Sequence, residues 1–186
     1  MKKQHLLCSL AALVCFGILH LSQTSAAPDQ DRSHKPDFSG TWTLDPKAST
    51  SLEPLMKKVG ASLVEQKFSS WVDLKAALRQ TEQALTIDTR GPGFALDETL
   101  YLDGHSYPSN LQVLGATSVN TTTVWSKDYK QLVETHQIKT KEGKEGQLII
   151  ERYLADDGKS LVAIYSLQLN AEPGEISARQ IWHRQA

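Results

Sequence analysis

The chain has 186 residues, 20 basic and 21 acidic side chains, a formal net charge of −1 and 40% hydrophobic residues. That length suits one domain with its own core. No basic stripe occurs, which argues against nucleic acid and anionic membrane surfaces as partners.

The first 26 residues read as a cleaved export signal. Lys2 and Lys3 form a positive start, Leu6 to Leu21 is largely apolar, and Thr24-Ser25-Ala26 offers small residues for cleavage. The apolar run is broken by Ser9 and His20 and falls short of the roughly 20 residues that a membrane span needs. The expected product is therefore periplasmic or secreted, with no stable membrane insertion after cleavage. Both cysteines, Cys8 and Cys15, lie in this segment, so the mature chain has no thiol, disulfide or cysteine metal site. Cleavage leaves 18 of the 20 basic side chains against all 21 acidic ones. Residues 27–36 are polar and lack an apolar period, as expected of a flexible lead-in to a domain over 37–186.

The first strand is expected in DFSGTWTLDP. Phe38, Gly40, Trp42 and Leu44 alternate on one face, and Pro46 stops the run. A glycine inside a strand marks a bend or a close backbone approach. From Leu52 to Trp71 the apolar spacing becomes three and four residues, which is helical. Gly60 divides this region into two short helices near 53–59 and 62–70, with Ser51 and Pro54 as a start signal. LKAALRQTEQ is ambiguous. It either extends the second helix or forms a strand turning at Glu82-Gln83. From Ala84 onward, ALTIDTR, FALDETLYL, SYPSNLQVL, ATSVNTTTVW, QLVETHQIK, GQLIIERYL, SLVAIYSLQL and EISARQIWHR alternate with turn signals, the pattern of an antiparallel meander. A long meander removes its exposed edges by closing into a barrel.

F-x-G-T-W-x-L resembles the first strand of the calycins, the superfamily of lipocalins and cytosolic fatty-acid-binding proteins. SLEPLMKKVGASLVEQK resembles the helix-turn-helix of the latter group. The DFSGTW start also resembles a set of exported bacterial lipocalin-like proteins. The resemblance favours the strand reading of 75–81. It implies a mainly β fold: an up-and-down antiparallel barrel of about 8–10 strands with a short helix-turn-helix lid after the first strand. It further implies that Gly40 lets the first strand bend and that Trp42 plugs one barrel end beside Phe38.

The same resemblance implies arginines inside the cavity and a tyrosine on the last strand that hold a ligand carboxylate. Arg152 and Arg179 fall at corresponding places. Alternation puts Arg152 with Leu148, Ile150 and Leu154, an inward apolar set, so it needs either a ligand anion or an internal acid as partner. Glu98, on a face with Phe94, Leu96, Leu100 and Leu102, is a candidate acid. Arg179 shares a face with Ile181 and His183 while the other face carries Ile176, Ala178 and Trp182, so alternation leaves its direction open. Ile181 stands where the resemblance places the tyrosine. Tyr165, on a face with Leu161, Ala163, Leu167 and Leu169, is a substitute. Leu55, Met56 and Val59 are expected to cover the entrance. His136 alternates with Leu132 and Ile138 and reads as a hydrogen-bonded core histidine, and His183 as a rim histidine.

No nucleophile elbow, phosphate loop or dinucleotide fingerprint occurs, and no metal-site spacing. Asp156-Asp157-Gly158 reads as a hairpin turn rather than a catalytic carboxylate pair. The leading expectation is a non-enzymatic, cofactor-free binding protein for a small hydrophobic or amphipathic ligand, carboxylate-bearing if the arginine grip holds. The alternatives are a self-filled barrel acting as an envelope interaction module, and an isomerase-type enzyme on a calycin scaffold.

Overall fold

The computed structural model describes residues 35–62, 73–109 and 112–186. The expected signal segment and the second helix, with Leu63, lie outside them. Among the described residues, eleven strands form one antiparallel sheet in the order β4-β3-β2-β1-β11-β10-β9-β8-β7-β5, with β6 also paired to β7. The strands are β1 (Gly40–Leu44), β2 (Lys75–Gln80), β3 (Ala84–Gly91), β4 (Phe94–Tyr101), β5 (Ser106–Pro108), β6 (Gln112–Val113), β7 (Ala116–Trp125), β8 (Gln131–Lys139), β9 (Glu145–Ala155), β10 (Ser160–Leu169) and β11 (Ile176–Arg184). One helix, α1 (Glu53–Lys58), follows β1.

The chain folds this way because nearly every strand is half apolar with a period of two. In β8, Leu132, Glu134, His136 and Ile138 are buried and the residues between them are not. In β9, Gly146, Leu148, Ile150 and Arg152 are buried in the same rhythm. A sheet with one apolar face must cover it, and curling onto itself does so. The two ends of the domain meet as β1 pairs with β11, Trp42 opposite Arg184 and Leu44 opposite Trp182. The ambiguous segment LKAALRQ is a strand, paired with both β1 and β3.

Two features depart from a plain meander. SYPSNLQVL is broken into β5 and β6, each paired to β7, where the sequence suggested one strand. A bulge between Ser118 and Asn120 shifts the register of β7 against β8. It switches the inward positions from Ala116 and Ser118 to Thr121 and Thr123, because an extra residue inverts the alternation beyond it. The gap left between β4 and the β5 side is spanned by side chains. Tyr107 packs edge-on against Tyr101 at 5.1 Å between ring centroids, and its hydroxyl donates to the Thr99 carbonyl at 3.5 Å.

The core has two apolar parts. One gathers Phe38, Trp42, Leu44, Leu85, Leu100, Leu132, Leu161 and Trp182, with Trp125 packed against it. Phe38 stacks on Trp125 at 5.9 Å with the rings nearly parallel. The other gathers Leu52, Leu55, Met56 and Val59 from the helical segment with Ile138, Leu148, Leu167 and Leu169 from the barrel wall. Burying Leu55 completely contributes about 2 kcal/mol. Pro54 opens the helix, and the Ser51 hydroxyl accepts from the Glu53 amide at 3.1 Å. Gly115 is required where this segment meets the wall: a Cβ there would lie 2.7 Å from the Cβ of Ala61.

Trp42 and Gly40 take the structural places expected of them, and the structure adds a third member. The Trp42 indole donates to the Phe38 carbonyl at 3.0 Å. The Arg184 guanidinium lies 4.3 Å from the centre of the Trp42 ring. It also donates to the carbonyls of Ser39 (2.6 Å), Asp37 (3.2 Å) and Gly158 (2.9 Å). Gly40 has φ +136°, and a Cβ on it would sit 2.8 Å from Arg184 Nη1. The glycine therefore clears space for the arginine as well as bending the strand.

Candidate functional site

Between the two apolar parts the barrel wall turns polar and charged. Arg152 and Gln180 lie on one interior row, on either side of Ala163. Glu134 and Tyr165 share the next row with Ile150, and His136 lies beyond it opposite Leu148. Arg152, Glu134, His136 and Gln180 are all buried, with Glu134 and His136 fully so. Alternation aims each of them inward from β8, β9 or β11. The β7 bulge is what brings Thr121 and Thr123 inside beside them.

Arg152 points inward as the sequence suggested, and its partner is an acid of the chain itself. Its Nη1 pairs with Oε1 of Glu134, one strand away. Sequence reasoning missed Glu134, although QLVETHQIK places it on the same face as Leu132 and Ile138. Glu98 is partly buried and lies close enough to be influenced by Arg152. Burial pushes its carboxyl upward, and the guanidinium opposes that. One oxygen of Glu98, one of Glu134 and a ring nitrogen of His136 lie within 4.8 Å of one another.

His136 is a hydrogen-bonded core histidine. Its Nε2 lies 3.4 Å from Glu134 Oε2, and its Nδ1 lies 3.1 Å from the Thr121 hydroxyl and 3.3 Å from the Ser118 hydroxyl. Burial pushes its pKa down to about 4, so the ring is neutral at pH 7. A carboxylate only accepts, which assigns the ring proton to Nε2 and leaves Nδ1 to accept from the hydroxyls.

Tyr165 reaches the same band. Its hydroxyl donates to Gln180 Oε1 at 3.2 Å. Burial raises its pKa, which Arg152 opposes and Glu98 reinforces, so all three groups act on one another. Arg179 does not belong to the site. It is exposed on the outer face, and the inward positions of β11 are Ala178, Gln180 and Trp182. The backbone on either side explains this. Past the end of β1, Thr50 donates to the Arg179 carbonyl and accepts from its amide, and the Ser49 hydroxyl accepts from the Ile181 amide. The segment after β1 thus continues along β11, through Ser49 and Thr50, beside the outward-facing odd residues. Ile181 is accordingly outside the barrel, and Gln180 supplies the interior polar group of the last strand.

Leu55, Met56 and Val59 all pack inward at the helical end of the barrel. His183 is on the rim, 3.1 Å from Asp45 Oδ2. Asp156 and Asp157 both have φ of 52° and form the turn between β9 and β10. A cleft of about 100 Å³, lined by Asp97, Glu98, Thr99, Tyr107, Ser109 and Thr121, opens at the gap beside β4. It connects solvent with Glu98 and with Thr121, the partner of His136.

A curled antiparallel wall, a helical segment over one end and a polar band between two apolar parts can be set against known structures. A REP1-NXSQ fatty acid transporter superposes with a TM-score of 0.60 at 18% identity, covering 80% of this chain and 96% of that one. Apo lipid binding protein 8 of Caenorhabditis elegans gives 0.61 at 12% identity, covering 80% and 95%. The chain shares the barrel fold of these proteins. No family model matches the chain, and no curated protein matches it in sequence.

Proposed function

We propose that this calycin barrel binds a small hydrophobic or amphipathic molecule in its interior and acts as an exported carrier or sensor without covalent chemistry. The observation that carries the reading is the polar band of buried Arg152, Glu134, His136 and Gln180 with half-buried Tyr165, between two apolar regions. A barrel that needed only stability would be served as well by apolar side chains, since a buried ion pair is often no better than a hydrophobic replacement. Apolar walls with a few convergent polar groups are the ordinary composition of a small-molecule site. The structural neighbours, a fatty acid transporter and a lipid binding protein, support this reading. Leu55, Met56 and Val59 cover one end, and local opening of that segment would admit ligand. The export signal read in residues 1–26 supports a periplasmic or secreted location for the carrier.

A rival reading is a self-filled barrel that acts as an interaction module. It draws on the aromatic groups Phe38, Trp42, Trp125 and Trp182 that fill one end. Native mass spectrometry of residues 27–186, purified gently from the exported fraction, separates the two. Binding predicts a reproducible added mass, and thermal stabilisation by single-chain amphiphiles of about 3 kcal/mol at a hundredfold excess over Kd. A bare mass together with no shift from any amphiphile supports the interaction module.

A further inference from the structure

We infer that the interior site selects an uncharged, hydrogen-bonding head group, such as the hydroxyl of a long-chain alcohol or a primary amide, and discriminates against carboxylates. This rests on the binding reading above and names its ligand class. The charge count inside the barrel carries it. The one guanidinium of the band, Arg152, is already paired with Glu134, which is fully buried and held on its other oxygen by His136. His136 is neutral, so it adds no positive charge. The remaining charged candidate, Glu98, is acidic and faces Arg152 from β4. Arg179, the second cation that an anion grip would need, stands outside the barrel.

A carboxylate entering this band would meet a guanidinium that has no uncompensated charge left, with a second acid nearby. It would be a buried charge without a counter-ion, or it would have to displace Glu134 and leave that one unpaired; either is costly. An ammonium head group would face Arg152, and Glu98, whose carboxyl burial pushes toward its neutral form, is a weakened counter-ion for it. A hydroxyl or amide meets no such penalty. A guanidinium has five N–H donors, and one carboxylate oxygen does not use them all. Gln180 accepts from Tyr165 through Oε1, which leaves its NH₂ group to donate and the Tyr165 oxygen to accept. These donors and acceptors converge on the same part of the interior as the Arg152–Glu134 pair.

The test is displacement of Nile red, an uncharged dye, from the intact mature protein by hexadecanol, hexadecanamide, hexadecanoate and hexadecylamine at pH 7.5. The expected result is that the alcohol and the amide compete at least about tenfold better than the acid or the amine. In Glu134→Gln, which keeps the shape and frees Arg152, the acid should gain about tenfold relative to the alcohol. Should that variant fail to fold, the wild-type ranking decides alone. An acid or an amine that outcompetes the alcohol in the wild type overturns the head-group assignment and leaves the binding reading standing. If none of the four competes and none stabilises the protein, both are overturned.

Discussion

His136 is the residue whose environment makes the sharpest prediction about stability. In the fold its pKa is lowered to about 4 by burial, whereas in the unfolded chain it titrates near 6.5. Between these values the unfolded state binds the additional proton. Stability therefore falls as the pH drops through that window, by about 3 kcal/mol at its lower end. Glu98 acts in the opposite direction. Its carboxyl is raised, so its contribution is present at low pH and lost as the pH rises through its folded value. Glu134 and Arg152 face the same space and are common to any comparison of variants at His136. Urea unfolding of wild type and His136→Gln at pH 7 and pH 4.5 isolates the histidine term. The wild type should lose more stability between the two pH values than the variant does. Equal losses would mean that His136 is not held neutral by its surroundings. A second expectation concerns the pair itself. Arg152→Leu alone strands the Glu134 carboxylate and should cost about 3–5 kcal/mol, whereas Arg152→Leu with Glu134→Leu should recover much of that. Equilibrium unfolding of the single and double variants measures the difference, and strict additivity would show that the two side chains are not coupled.

At the scale of elements, Arg184 acts as a clasp that joins β1, β11 and the turn before β10. It donates to three carbonyls on two chain segments and stacks on Trp42. Arg184→Ala should therefore cost about 2 kcal/mol in urea unfolding, and Arg184→Lys should rescue little of it, because an ammonium lacks the planar fork. A variant as stable as wild type would show that the clasp is dispensable. These elements also show what could be read in the sequence. β3, β4 and β7 to β11 appear within one residue or so of their places in the alternation, because each buries one face and exposes the other, whereas LKAALRQTEQ was ambiguous by pattern and the resemblance favoured β2. The inward direction of Arg152 was legible for the same reason. The direction of Arg179 was not, since Ile181 on one face and Trp182 on the other give no contrast. It is fixed by the hydrogen bonds of Ser49 and Thr50, 129 positions away or more in the chain. The break between β5 and β6 and the bulge in β7 were likewise hidden, and the bulge decides that Thr121 reaches His136. Glu134 was visible in alternation but had no apparent role, because its partner lies on a neighbouring strand. Charge pairing inside a barrel depends on register, which a single strand does not encode.

For the whole molecule, the important fact is that the two ends of the domain are joined inside one sheet, whose edges β4 and β5 are not paired with each other. β1 meets β11, and the bond from Arg184 to the Ser39 carbonyl spans 145 positions. By contrast β7, β8, β9, β10 and β11 are successive neighbours joined by short turns. Closing a long loop costs entropy before any long-range pairing stabilises the chain, so contacts between sequence neighbours form first and the seam forms late. This gives a kinetic prediction that equilibrium data do not contain. In a chevron analysis, Arg184→Ala should speed unfolding and leave the folding rate nearly unchanged, with a φ-value near zero. Ile150→Val, at the centre of the β8-β9-β10 meander, costs about 1 kcal/mol, enough for a reliable φ-value. It should act mainly by slowing folding. A φ-value near one at the seam and near zero in the meander would reverse this order and place barrel closure in the folding nucleus. The predicted order also bears on ligand entry. The β8-β9-β10 wall that carries Glu134, Arg152 and Tyr165 would be the most persistent part of the fold. The polar band would then stay assembled while the helical segment, tied to the wall through packing at Ala61 and Gly115, opens and closes over it.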